Sequence, residues 1–192
     1  MAGLTTTAYE VSTDEERQLF LESYAHALGI PVSDLDLSID FLRECEVVYI
    51  FRDAEGDAVS GYTINTEQSY RTLDRIPPDI AAELRAKAEG LQTYELGTIW
   101  VAPDRKNGRE KLELWYHVFE RMIARSHLVM VGSTFSDEIY SFYSRYGATL
   151  AYLNEQLEVF GKQSTYYIIY IDDLSKTKVP DMYAQLRNRL LR

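Results

Sequence analysis

A single cysteine, Cys45, stands in the 192 residues of the chain. That excludes a disulfide framework and a cysteine-based zinc site. The three histidines, His26, His117 and His127, lie far apart. They suggest neither a metal cluster nor a Ser-His-Asp triad, so no metal is expected. No stretch approaches the run of about 18 apolar residues that a membrane-spanning helix needs, and no membrane partner is expected. The leading MAGLTTTAYEVSTDEE has neither the basic start nor the apolar stretch of a secretory signal, which predicts a cytoplasmic protein. Basic residues are scarce in the front part. Residues 1–59 hold 13 Asp/Glu against three Arg, whereas the whole chain holds 30 acids and 20 bases, leaving 17 of each for the remainder. Such a front argues against nucleic acid as a partner. It suits a cation such as an amine, on a small molecule or on a protein, or serves as a solubilising surface.

What is present fits one domain over residues 1–192, large enough for a single core. Thr13 followed by Asp14, Glu15 and Glu16 reads as a helix start, and Gly29 with Pro31 as its end. A second helix is predicted from Ser33 to Glu44. The segments VVYIFRD (47–53) and SGYTINTE (60–67) around a Gly-containing turn read as a β-hairpin. Residues 69–90 form a helical insertion that opens on Pro77-Pro78 and closes on Gly90. A strand at 94–101, a helix from Arg109 to Ser126 and a buried strand at 128–135 follow, then a short helix at 137–146 closed by Gly147. Leu112, Trp115, Tyr116, Phe119, Met122 and Ile123 make the apolar face of the long helix. Strands around 149–160 and 164–174 precede a C-terminal helical extension at 175–192.

Three stretches carry a resemblance. IWVAPDR (99–105) is a strand ending in a turn crowded with cations, FYSRYGA (142–148) closes a short helix, and the apolar strand 128–135 lies between them. In order and spacing these resemble the GNAT acyltransferase superfamily, over roughly residues 13–174. The resemblance implies a mixed, mainly antiparallel central sheet flanked by helices. It implies transfer of an acyl group, acetyl first, from acetyl-CoA or another acyl-CoA to an amine. It also places the cofactor at Ile99, Trp100, Val101, Arg105, Lys106, Asn107, Gly108, Arg109 and Ser136. The family's loop uses several glycines so that backbone N–H groups can face a pyrophosphate. RKNGRE holds only Gly108, with Glu110 where the last small residue belongs. Three readings follow: side chains of Arg105, Lys106, Arg109 and Lys111 grip the phosphates; the loop meets acyl-phosphopantetheine on a carrier protein, as in synthases of acyl amino acids or acyl-homoserine lactones; or the scaffold is idle and used for binding. For the last, the tyrosine-rich strand 164–174 offers a surface suited to pairing, as in a homodimer, though it fits a sheet core as well.

The catalytic expectations are Glu95 and Tyr143. Glu95 precedes Val101 by six residues, and strand alternation puts Glu95, Gly97, Ile99 and Val101 on one face. A carboxylate on a mostly apolar face has the raised pKa that a base for an ammonium needs; the alternative is a carboxylate at the strand's end in solvent. The resemblance makes Tyr143 the acid for the departing thiolate. Tyr140, Tyr143 and Tyr146 share a helical face, so an aromatic packing stripe is the competing role. The resemblance also has the backbone N–H near Val101 polarise the thioester carbonyl.

Overall fold

The computed structural model describes residues 4–66, 70–87, 92–106, 108–159 and 162–191. The expected helix end at Gly90 and the expected cofactor residue Asn107 lie outside them. The chain divides into two compact units. One comprises residues 1–65, 96–121 and 182–192; the other comprises 66–95 and 122–181. Together they supply a seven-stranded, mainly antiparallel sheet.

In the first unit the strand order is β1 (Thr7–Glu10), β2 (Val47–Arg52), β3 (Ala58–Asn65) and β4, whose range Thr93–Val101 starts in the other unit. Helix α1 (Asp14–Leu28) follows the sequence signals closely. Thr13 and Glu16 form a reciprocal capping box, and Gly29 closes the helix at φ 71°. A cap of this kind stabilises by about 1 kcal/mol. The helix expected over Ser33–Glu44 is instead a 3-10 turn at Val32–Asp34 followed by α2 (Ile39–Glu44). Ser38 accepts the Phe41 N–H and restarts the helix there. Strand β1 had no sequence signal, since its four residues are mostly exposed.

The hairpin β2–β3 is covered on both faces, which is why its sequence reads as an apolar run rather than an alternation. Val48 and Ile50 pack with Phe20, Leu21, Leu42 and Trp100 under α1 and α2. Tyr49 and Phe51 meet His117 of helix α5 (Arg109–Ala124) edge-on, with ring centroids 4.8 and 5.2 Å away. The buried face of α5 is Leu114, Trp115, Val118, Phe119 and Met122. The expected face is thus partly replaced: Leu112, Tyr116 and Ile123 are half-buried. The acidic front is partly consumed by structure, because Asp14 pairs with Arg17 and Arg43.

In the second unit the order is β5 (Val129–Thr134), β7 (Lys162–Ile171), β6 (Thr149–Val159), all antiparallel. β7 is hydrogen-bonded along both edges, and Tyr166, Ile168, Ile169 and Ile171 are buried. The segment 164–174 is therefore sheet core and does not offer a pairing surface. The insertion contains α3 (Arg71–Asp74) and α4 (Pro78–Lys87), whose Tyr70, Leu73, Ile76 and Ala81 cluster with Tyr166 and Ile168. Helix α6 (Asp137–Arg145) meets β7 from the other side, where Tyr140 stacks on Tyr167 with centroids 4.2 Å apart. Helix α7 (Val179–Leu190) ends in the first unit.

His117 supplies a pH test of the first unit. Burial, with Arg121 adding to it, lowers its pKa to about 4, and its Nδ1 lies 2.8 Å from the Tyr62 hydroxyl. The folded protein binds fewer protons there than the unfolded chain between the ordinary value and about 4, so stability is full above that window and falls as pH drops through it. The span is worth about 3 kcal/mol at most. Thermal unfolding of His117→Phe across this range is expected to lack that part of the acid-side decline. A decline identical to wild type would show that His117 is not held neutral.

Candidate functional site

The side chains expected to do chemistry fall into a buried polar network in the second unit and a charged turn in the first. Glu95 is 4% exposed, on β4. Its Oε1 accepts the Thr72 N–H at 2.7 Å, and the Thr72 hydroxyl and the Arg71 amide also bond to it. The network extends outward from there. Thr72 Oγ1 lies 3.2 Å from Ser133 Oγ, and the Tyr166 hydroxyl donates to the Thr72 carbonyl at 3.1 Å. Burial raises the Glu95 pKa. The bonds from Thr72 and Arg71 and the Arg71 charge oppose that rise without cancelling it. Burial likewise pushes Tyr166 up to about 12.

The receiving amides explain this carboxylate. They belong to the first residues of α3, whose N-cap, Tyr70, provides no side-chain cap. A helix start leaves its first N–H groups without intrahelical partners. Glu95 supplies the missing acceptor from a distant strand, so it caps α3. The carboxylate is not at a solvent-exposed strand end, and its oxygens are engaged by backbone rather than open to an incoming ammonium.

Tyr143 is also buried, on α6, and burial followed by the neighbouring Tyr94 raises its phenol pKa. It does not share a face with Glu95. Adjacent strand residues point to opposite sides. Tyr94, the neighbour of Tyr143, and Glu95 therefore diverge from β4, just as Tyr167 faces α6 while Tyr166 reaches Thr72. The base and acid expected to flank one acceptor lie on opposite sides of the strand layer. The alternation assumed beyond Gly97 also fails, because Thr98 takes φ 45°, a left-handed conformation rare for a residue with a branched Cβ. Its hydroxyl lies 2.6 Å from that of Thr63.

Ser136, expected at the cofactor, is the N-cap of α6 and accepts the Ile139 N–H at 3.3 Å.

In the charged turn, Trp100 places its ring in the core, edge-on to Phe20 at 6.0 Å, so its side chain is not a cofactor contact. Ile99 and Val101 are half-buried and Lys106 is exposed. A 3-10 turn covers Pro103–Arg105. Arg105 sits among three carboxylates: Asp53 at 3.3 Å, Asp104 at 3.2 Å and Glu110 at 3.2 Å. Arg109 Nε donates to Glu113 at 2.9 Å, and Arg109 Nη2 donates to the Leu190 carbonyl at 2.8 Å. Gly108 spends its N–H on the Arg105 carbonyl at 2.9 Å. Arg105, Gly108 and Arg109 thus have internal partners, contrary to the expectation of an open phosphate grip. A pyrophosphate does not fit this donor set as it stands.

Glu113 escaped the sequence reading. It is 2% exposed and accepts the N–H and hydroxyl of both Thr5 and Thr6, besides Arg109. Burial alone would raise its pKa, but those bonds outweigh it and hold the carboxyl below its ordinary range. Its only sequence signal was an acid directly beside apolar residues in a helix. Among the described residues, no group of three or more metal-ligating side chains gathers, and no helix is long and apolar enough to cross a membrane.

No protein-family model and no curated protein matches the chain. Solved structures do. FeeM, an N-acyl amino acid synthase from uncultured soil microbes, is 13% identical with a TM-score of 0.65, covering 89% of this chain and 91% of its own. A GNAT-family protein from Desulfovibrio desulfuricans is 12% identical with a TM-score of 0.59, covering 88% and 99%. The ribosomal-protein-S18-alanine N-acetyltransferase of Escherichia coli is 12% identical with a TM-score of 0.57, covering 86% and 92%. The fold is that of the GNAT superfamily.

The capping role of Glu95 has a measurable consequence. Glu95→Ala leaves buried amides of α3 unpaired, at about 1–3 kcal/mol per group. Hydrogen exchange at the Thr72 amide is expected to accelerate with the loss of stability. Because the folded pKa is raised, the native state holds its proton longer than the unfolded chain. Wild-type stability therefore declines as pH rises from the ordinary carboxylate range through the raised value. Glu95→Gln is expected to abolish that decline. Unchanged Thr72 exchange in Glu95→Ala would refute the cap.

Proposed function

We propose that the chain is an N-acyltransferase that moves an acyl group from a thioester to an amine in one direct step. The GNAT fold supports the reaction class. The observation that carries the reading further is Tyr143: a phenol buried on α6, protonated at neutral pH as phenols ordinarily are and kept so by burial. The amine nitrogen attacks the thioester carbonyl, the C–S bond breaks, and the departing thiolate takes the Tyr143 proton. The phenolate recovers a proton from solvent or from the ammonium that became the amide. The backbone N–H near Val101 polarises the carbonyl in this scheme. Glu95 is left out as base, since its oxygens are committed to α3.

The donor is an acyl thioester for which CoA is not required, because the cations Arg105 and Arg109 at this turn already have internal partners. The acidic front favours a cationic acceptor, a small amine or a protein amine, encountered in the cytoplasm. An N-acyl amino acid synthase among the similar structures keeps a carrier-bound acyl chain as a second reading of the donor.

The test combines thiol release and product mass for a panel of amines with acetyl-CoA, acetyl-pantetheine and octanoyl-carrier as donors. N-acyl product and one free thiol per turnover are expected with at least one pair. Tyr143→Phe is expected to lower kcat by about 100-fold or more with KM little changed, since a general acid contributes on that order. The loss should shrink with thiols of lower pKa. Full activity in Tyr143→Phe would remove Tyr143 from the mechanism; no thiol release with any pair would remove acyl transfer itself.

A further inference from the structure

The first turn of α5 is where a GNAT-type fold would offer its amides and the helix dipole to phosphate. In this chain an internal anion lies there. The Glu110 side chain folds back over Gly108, so a Cβ built on Gly108 would collide with its Oε2. Its other oxygen, Oε1, is 3.2 Å from Arg105 Nη1, and the side chain is only 14% exposed. Arg105, the cation that would greet a phosphate, is held on its remaining sides by Asp53, itself 8% exposed, and Asp104. Gly108 has turned its N–H to the Arg105 carbonyl, and Arg109 is engaged by Glu113 and Leu190. The guanidinium that would attract a phosphate is therefore already paired with a carboxylate lying beside Gly108, just before the helix start.

We infer that Glu110 is a specificity-determining residue: its carboxylate fills the anion position at the start of α5 and makes the chain indifferent to the pyrophosphate of a free CoA donor. Recognition then rests on the pantetheine arm and the acyl group. An entering pyrophosphate would have to expel Glu110 and face it at close range. Like charges at such distance repel strongly where water is partly excluded. This inference rests on the acyl-transfer reading for its meaning, but its test does not depend on turnover.

Calorimetric titrations of CoA and of pantetheine into wild type, Glu110→Gly and Glu110→Gln decide it, with circular dichroism to certify folding. Wild type is expected to bind the two ligands within about threefold of each other. Glu110→Gly is expected to gain about tenfold or more for CoA and little for pantetheine, as freeing one charge-assisted contact allows. Glu110→Gln, which keeps the size and removes the charge, should gain less, and it stands in if the glycine variant unfolds. Wild type preferring CoA by tenfold or more would overturn the inference, and so would folded Glu110 variants that gain nothing for CoA. Failure of every thioester to turn over would strike the proposed reaction and leave this comparison intact.

Discussion

The first unit depends on one buried carboxylate. Glu113 gathers the amides and hydroxyls of Thr5 and Thr6 and the guanidinium of Arg109, which in turn reaches the Leu190 carbonyl. Four bonds to neutral groups and one to a cation are what let a carboxylate remain charged out of water. The clamp joins the segment before β1, the first turn of α5 and the end of α7. It also commits Arg109, so one cation at the start of α5 already has an internal partner.

Glu95 resolves the same problem differently. It too receives backbone amides and a hydroxyl, and the charge of Arg71 acts in the same direction, but desolvation prevails. One buried glutamate is therefore held below its ordinary pKa, because the donors of Thr5, Thr6 and Arg109 together outweigh desolvation, and the other above it, because desolvation outweighs Thr72 and Arg71. Both are spent on architecture: Glu113 fixes α5, and Glu95 fixes the start of α3. Tyr143, also in the second unit, is buried and its phenol keeps its proton. The turn at 103–110 follows the same pattern, with cations matched internally by Asp53, Asp104 and Glu110.

Much of the fold was legible because its signals are local. Thr13, Glu16 and Gly29 delimit α1 within one helix length, and Gly56 at φ 91° marks the β2–β3 turn. The failures share a physical cause, namely partners distant in sequence. Helix α3 carries no cap of its own, and its acceptor lies 23 residues further on. Helix α5 buries Glu113 among apolar neighbours because Thr5 and Thr6 come to meet it. The cations of RKNGRE were plain to read, but whether they were free depended on Asp53, 52 residues before Arg105. Ser136 matched a binding position in the pattern and is a helix cap in the structure. Sequence spacing located the acyltransferase-like elements; it could not tell a committed side chain from an available one.

Buried carboxylates, each answered by distant donors, decide which charged groups keep no internal partner of this kind. Carboxyl 13C NMR titration of glutamate-labelled protein, with Glu113→Gln and Glu95→Gln used to assign the two resonances, measures this directly. One resonance is expected to titrate below the ordinary glutamate range and to vanish in Glu113→Gln, and one above it and to vanish in Glu95→Gln. Ordinary titration of both, or the opposite order, would show that these carboxylates are not held this way.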